Sequence, residues 1–413
     1  VICKGGTALR WLSTYPREIK AFLVASLINS VGSSIMWPLI TMFVYKQLGR
    51  TVADAGMVVM FMSLGGIIGQ LIGGSLYHRI GVKVLIVGGL GLNALSLILV
   101  PFGSHNWVFF MIMMTLSGFF NAISMPAIQA FIGYRFQKQR SELFNIIYVA
   151  NNIGVAIGTS LSGLLAFVSY ELSFALNGCT SLIFAIFFLV YLKQVDADDT
   201  GVQTSQRKTI PKELSTWQLL MNYKFYLFMG LGSFLVWFGN CIWNNGVSPY
   251  TINQGMAEWN YSILWTLNGV LIFAGQPITL WIKNVVAKTS GIQLIVSAIF
   301  YLLGYAVILI FQDYPSMLMG MVLTTFGEML VLPAIPTFIS ERGGAQAPFY
   351  LGLVGGIGIG GKVLGPYAFG ALFDWNGLPP VAWVSLSSAI LAVLVFAIHA
   401  FLHKGEEQQL ASM

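Results

Sequence analysis

The feature that most constrains this chain is a succession of about twelve apolar windows, each about 20 residues long. At a rise of 1.5 Å per residue, such a window matches the roughly 30 Å thickness of a bilayer's hydrocarbon core. In lipid, every backbone N–H and C=O must be bonded within the protein, which leaves helices or a closed barrel. The windows run continuously apolar without period-two alternation, so the sequence predicts helices. They fall at about 20–45, 54–77, 83–102, 107–133, 142–168, 172–192, 224–250, 260–282, 290–311, 315–339, 349–373 and 380–402. Composition closes the soluble alternative: 56% of the 413 residues are hydrophobic and 9% charged, where globular chains carry about 25% charge.

The basic residues give this chain a topology. Arg79 and Lys83 follow span 2, and Arg135, Lys138 and Arg140 follow span 4. Lys193, Arg207, Lys208, Lys212 and Lys224 lie in or beside the segment between spans 6 and 7. Lys283, Lys288, Arg342 and Lys404 follow spans 8, 10 and 12, all on the side of the N-terminus, while the other side has only Lys46 and Arg50. The positive-inside rule then places both termini in the cytoplasm. The formal charge of +6 reads as topology, and no nucleic-acid partner is expected. The stretch with Lys4, Arg10, Arg17 and Lys20 reads as a cytoplasmic, partly amphipathic lead-in and not as a cleavable signal peptide. Segment 193–222, acidic at Asp196, Asp198 and Asp199 and then basic, reads as a solvated linker.

The halves repeat one another. Met125-Pro126-Ala127-Ile128 matches Leu332-Pro333-Ala334-Ile335 at an offset of 332 − 125 = 207. Gly154, Gly158 and Gly163 match Gly361, Gly365 and Gly370 at the same offset, and Gly32–Trp37 faces Gly239–Asn244. Gly69-Gln70 faces Gly275-Gln276 at 206. The expected fold class is therefore an all-α membrane protein with twelve transmembrane helices in two pseudo-symmetric six-helix bundles. Residues 1–192 form one bundle with its lead-in, 193–222 the linker, and 223–413 the second bundle with a short tail. Parallel repeats place transport sites between the halves near the midplane.

At this point the residues resemble the major facilitator superfamily over essentially the whole chain. The loop after span 2, Gly74-Ser75-Leu76-Tyr77-His78-Arg79-Ile80-Gly81-Val82-Lys83, is similar to the family's G-x-L-x-D-R-x-G-R-K. Gly74, Leu76, Arg79, Gly81 and Lys83 match, while His78 replaces the acid and Val82 a basic residue. The resemblance implies a cytoplasmic gate loop. Gly154-x-x-x-Gly158-Thr159-x-x-Ser162-Gly163 is similar to the family's antiporter motif, and its repeat, Gly361-x-x-x-Gly365-Pro366-x-x-Phe369-Gly370, keeps the proline. Glycines four apart also let helices approach closely, and plain packing is an equal reading. Gly327-Glu328 with Pro333 is similar to the superfamily's drug:proton antiporters and also to its proton-coupled peptide transporters, while Asn268 with Gln276-Pro277 and Tyr148 with Asn151-Asn152 look more like the twelve-helix drug:proton antiporter branch. The arginine that branch carries in span 4 is absent; Met114 stands in its place. The resemblance implies a bacterial cytoplasmic (inner) membrane location.

Glu328 is the most informative side chain. It lies about 13 residues, or about 20 Å, from the outer end of span 10. A carboxylate there is costly unless paired, hydrated or protonated, and a proton-coupled transporter needs such a group. Lys362, near the middle of span 11, is too deep to snorkel fully. The depths of the two match, so the sequence predicts that they pair or share a hydrated cavity, either as a static ion pair or as a site where substrate and proton compete. Asn29, Ser33, Met36 and Trp37 fall on one face of span 1, and Trp237, Asn240 and Asn244 on one face of span 7. With Asn121, Gln129, Asn152, Trp243, Asn268 and Gln276 they make a candidate substrate cavity, although single amides between helices are often only structural.

His78, His105, His399 and His403 lack ligand spacing, as do Cys3, Cys179 and Cys241, and no phosphate-cradling loop appears. No metal, cofactor or enzymatic activity is expected. The leading reading is a monomeric secondary transporter that couples protons to the export of amphipathic or lipophilic small molecules. Uptake of a polar solute such as a peptide or sugar, a lipid translocase and a non-transporting receptor stand as alternatives.

Overall fold

The computed structural model describes residues 17–50, 52–137, 139–166, 168–198, 224–256 and 258–402. Most of the 193–222 linker, the basic residues before Arg17, and Lys404 lie outside the described residues. Among the described residues there is no strand. The first half comprises α1 (Arg17–Met42, continued by a π turn at Phe43–Gln47), α2 (Val52–Ile80), α3 (Val84–Gly103), α4 (Trp107–Arg135), α5 (Arg140–Ala166) and α6 (Tyr170–Asp198). The second comprises α7 (Leu227–Asn253), α8 (Glu258–Ala274 with Gln276–Val285), α9 (Ser290–Phe311), α10 (Tyr314–Arg342), α11 (Ala347–Asn376) and α12 (Leu378–Leu402). Eleven are long and apolar enough to cross a membrane, and the bent α8 makes a twelfth.

The span read as one helix over 260–282 is two segments that meet at 59°. Pro277 has no N–H to offer Phe273, and Gly275 caps the second segment, so the helix breaks there. The Gln276 side chain compensates, its Nε2 donating to the Ile272 carbonyl at 2.7 Å. α7 is also irregular, with a π turn at Trp243–Val247 just before Ser248-Pro249.

Small residues set the packing inside each half. Gly65, Gly69 and Gly73, spaced by four, bring α2 against the backbone of α4 at Thr115, Phe119 and Ile123. Gly154 and Gly158 press α5 onto α1; a Cβ on Gly154 would lie 2.6 Å from that of Ser30. Gly361 and Gly365 seat α11 on α7 at Phe234 and Cys241. Both copies of the glycine motif are thus packing contacts within a half. Thr159 returns its hydroxyl to the Val155 carbonyl, Pro366 is exposed, and nothing lies within 4 Å of a Cβ on Gly370. The surroundings of Gly163 lie outside the description. A buried chain of polar groups ties the first half together: Ser117 Oγ donates to Asn93 Oδ1 at 2.7 Å, Asn93 Nδ2 to Ser181 Oγ at 2.9 Å, and Ser181 Oγ to Asn29 Oδ1 at 3.1 Å.

The halves meet through α2, α4 and α5 on one side and α8, α10 and α11 on the other. The joining contacts lie toward the end of the molecule that carries Arg79, Arg135, Arg140 and Arg342, here the basic face. His78 Nε2 bonds the Ala345 carbonyl, and Tyr134 Oη donates to the Gly344 carbonyl at 2.6 Å. Arg140 Nη1 donates to the Ser340 carbonyl at 3.1 Å, and its Nε lies 3.4 Å from Glu341 Oε1. Ser290 Oγ donates to Glu341 Oε2 at 3.0 Å. Deeper in, Asn145 Nδ2 donates to Gln276 Oε1 and Lys283 Nζ to Asn145 Oδ1, each at 3.0 Å. α2 and α11 touch through Gly74, Gly352 and Gly355, where added Cβ atoms would overlap Pro348, Gln70 or both helices' backbones. α1 and α7 form no such packed interface. The molecule is closed at the basic face, and toward the opposite one no packed α1–α7 interface joins the halves.

Candidate functional site

Glu328 sits where α10 faces α5 and α8, at the deep end of this seam. The Asn268 amide Nδ2, on α8, donates to Glu328 Oε2 at 3.3 Å and to Thr325 Oγ1 at 3.0 Å. Thr325 in turn donates to the Met321 carbonyl at 2.6 Å, which orients the amide toward the carboxyl. From the other half, Tyr148 of α5 brings its buried hydroxyl beside Glu328. The hydroxyl faces the carboxyl without a hydrogen bond of normal geometry. Behind the carboxyl, Tyr301 and Tyr305 of α9 are each only 1% exposed.

Lys362 does not form a contact ion pair with Glu328, although each lies in the other's electrostatic field. Its Nζ rests 3.4 Å from the centroid of the Trp237 ring on α7, and the residue is exposed on α11 between the face that packs on α7 at Gly358 and Gly361 and the face that packs on α2 of the other half at Gly352 and Gly355. A cation at this distance is attracted by the ring's quadrupole.

The polar positions expected to line a cavity divide. Asn121 and Asn244 are exposed; Gln129, Trp237, Asn240 and Ser33 are half-buried. Trp37 is 54% exposed. Asn244 accepts from Tyr261 Oη at 2.8 Å and borders an open recess of about 530 Å³ with Asn245, Gly370 and Asp374. Others turn away from the gap. Asn29 belongs to the buried network of the first half, and Met36 Sδ accepts from Asn177 Nδ2 at 3.3 Å, so this face of α1 addresses α6. Trp243 is 1% exposed in the core of the second half. Asn152 returns its amide to the Tyr148 carbonyl, and Gln276 spans the seam. In the loop after α2, Gly81 has φ +84°, a conformation that favours glycine, and Gly74 meets α11. Arg79 is exposed and Lys83 half-buried.

The profile of the Major Facilitator Superfamily matches residues 22–354. The chain belongs to that superfamily. Among its relatives, the MFS-type transporter YttB of Bacillus subtilis (strain 168) is 31% identical over 389 residues, covering 93% of this chain and 94% of YttB. The quinolone resistance protein NorA of Staphylococcus aureus (strain COL) is 24% identical over 374 residues, covering 89% and 92%. Among solved structures, the superfamily transporter FucP in its outward conformation superposes with a TM-score of 0.72 at 16% identity, over 93% of this chain and 97% of FucP. The human organic anion transporter MFSD10 (TETRAN) gives 0.69 at 13%, over 92% and 100%. This superfamily member is therefore a multi-pass membrane transporter and not an enzyme.

Sequence reasoning missed the clamp of Arg140, Glu341 and Ser290 and the bridge of Lys283 and Asn145. Arg140 and Lys283 entered only as topology markers, and their contacts cross between halves that share no sequence neighbourhood. Tyr148 was visible only through the Tyr148-x-x-Asn151-Asn152 likeness.

Proposed function

We propose that this transporter exchanges protons for amphipathic or lipophilic small molecules and moves those molecules out of the cell by alternating access. The observation that carries the reading is Glu328, an intramembrane carboxyl at the seam between the halves, held by one amide and faced by the Tyr148 hydroxyl rather than locked in an ion pair. Such a group is costly as an isolated charge and is well placed to alternate between charged and neutral forms. The half-buried and exposed polar positions around the gap, Asn121, Gln129, Trp237, Asn240 and Asn244, supply the wall against which a substrate would lie. By the positive-inside rule the basic face is cytoplasmic, both termini lie there, and this conformation opens outward. Rocking the bundles apart at the basic face then exposes Glu328 to the other side. The likeness to NorA, described as a quinolone resistance protein, supports export of small amphipathic compounds. The bacterial relatives support a cytoplasmic-membrane location, and a monomer suffices, since the site needs only the two halves.

The test is ethidium transport in proteoliposomes with an imposed pH gradient. The reading expects accumulation of ethidium against its gradient when protons run the other way, and loss of that dependence in Glu328→Gln. Equal pH-driven accumulation by the variant would remove Glu328 from the coupling.

A further inference from the structure

We infer that Lys362, seated on Trp237, is the anion-binding end of the substrate site, and that among the amphipathic molecules exchanged the site prefers zwitterions, whose cationic end meets Glu328. This deepens the exchange reading and rests on it.

An ammonium has three donors and no acceptor. In this structure the Lys362 ammonium has the Trp237 ring face beneath it and, among the described residues, no hydrogen bond or ion pair. A ring quadrupole holds a cation but supplies no net negative charge. The carboxyl in its field, Glu328, accepts from Asn268 instead. Lys362 also lies about 15 residues into α11, roughly 22 Å from the basic end, too deep to reach bulk water by extending. Its exposure is thus exposure to the gap. A cation without an acceptor, opening onto a passage between two bundles, is a place for a carboxylate or similar anionic group.

Charge balance then selects among ligands. A purely cationic molecule is drawn to Glu328 but repelled by Lys362. A purely anionic one is drawn to Lys362 but repelled by ionised Glu328, so it binds best once Glu328 has taken a proton. Anion and proton would then load together, the opposite of exchange. A molecule with both charges satisfies Lys362 and still competes with the proton for Glu328.

The test uses purified protein in detergent at one fixed pH and three fluorescent probes: Nε-dansyl-lysine, its methyl ester, which keeps only the amine charge, and its Nα-acetyl derivative, which keeps only the carboxylate. Dansyl emission reports binding. The wild type is expected to bind the zwitterion about tenfold more tightly than the ester, about 1.4 kcal/mol. Lys362→Gln should bring the two within about twofold of each other while ester binding holds or rises, and Lys362→Arg should keep the preference. Equal binding of zwitterion and ester by the wild type, or an unchanged ratio in K362Q, overturns the assignment. So does loss of all three probes in both variants, which would make Lys362 a folding residue. Acetyl-derivative binding as tight as the zwitterion's overturns the need for the amine. The ratio at fixed pH involves no proton gradient, so its failure is distinct from failure of the Glu328→Gln transport test.

Discussion

Replacing Arg140 by alanine should loosen the closure of the basic face by a measurable factor. Arg140 reaches across the seam with one charge-assisted hydrogen bond to the Ser340 carbonyl at 3.1 Å and one ion pair to Glu341 at 3.4 Å. The side chains of the pair are 18% and 28% exposed, so the Coulomb part is screened. An exposed pair contributes about 0–1 kcal/mol and a hydrogen bond to a charged group about 1.5–3 kcal/mol. Discounted for exposure, the loss comes to about 1.5–2.5 kcal/mol, a shift of about 10- to 70-fold toward the form open at this face. The readout is Ser340, 5% exposed and lodged against Gly133. In a background without Cys3, Cys179 and Cys241, Ser340→Cys should react slowly with a maleimide in detergent, and Arg140→Ala should speed that reaction by about the population factor when opening is fast relative to labelling. A rate unchanged by Arg140→Ala would refute the clamp. A rate already high in the parent would show that the seam does not close as described.

Gly352→Val should trap the seam open, because a side chain there overlaps the Gln70 carbonyl of α2; transport should vanish while S340C labelling becomes fast, and retained transport would contradict the close α2–α11 approach. Asn93→Ala should lower thermal stability in detergent by about 1–2 kcal/mol, since it strips the buried Ser117 hydroxyl of its acceptor and Ser181 of a donor, leaving Ser181 only its bond to Asn29; an unchanged melting temperature would sink that account. Tyr148→Phe should change the melting temperature little, as the buried hydroxyl it deletes faces Glu328 without a hydrogen bond of normal geometry. Gly81→Ala should cost about 1 kcal/mol from its φ of +84° alone, as nothing lies within 4 Å of the added Cβ.

The twelve spans were legible because lipid imposes a length and an apolar character that few other environments impose, and the repeat because blocks of proline and glycine recur at a near-constant offset. The depth of Glu328 followed from the same register, whereas Asn268 was named among the cavity amides and its bond to Glu328 came from the structure. Other features were hidden for identifiable reasons. Helical periodicity puts Asn29 and Met36 on one face of α1, but a face turned to a polar bundle interior and a face turned to a cavity look alike in sequence, and here the face meets Asn177 and Ser181 of α6. Trp243 is one residue from the exposed Asn244, and one step around an irregular helix took it into the core. The break of α8 was written in Gly275-Gln276-Pro277, yet the surrounding apolar run read as one span. The direct Glu328–Lys362 pair was one of two expected geometries, and the competition of Trp237 for the ammonium cannot be read from spacing.

The central claim is that substrate and proton compete for Glu328. It is tested most directly by proton release on binding. Ethidium added to the purified transporter in weakly buffered detergent solution, over a series of starting pH values, should displace protons within part of that series, read with a pH-indicator dye. Glu328→Gln should release none. Proton uptake on binding, or equal release by the variant, would contradict the account.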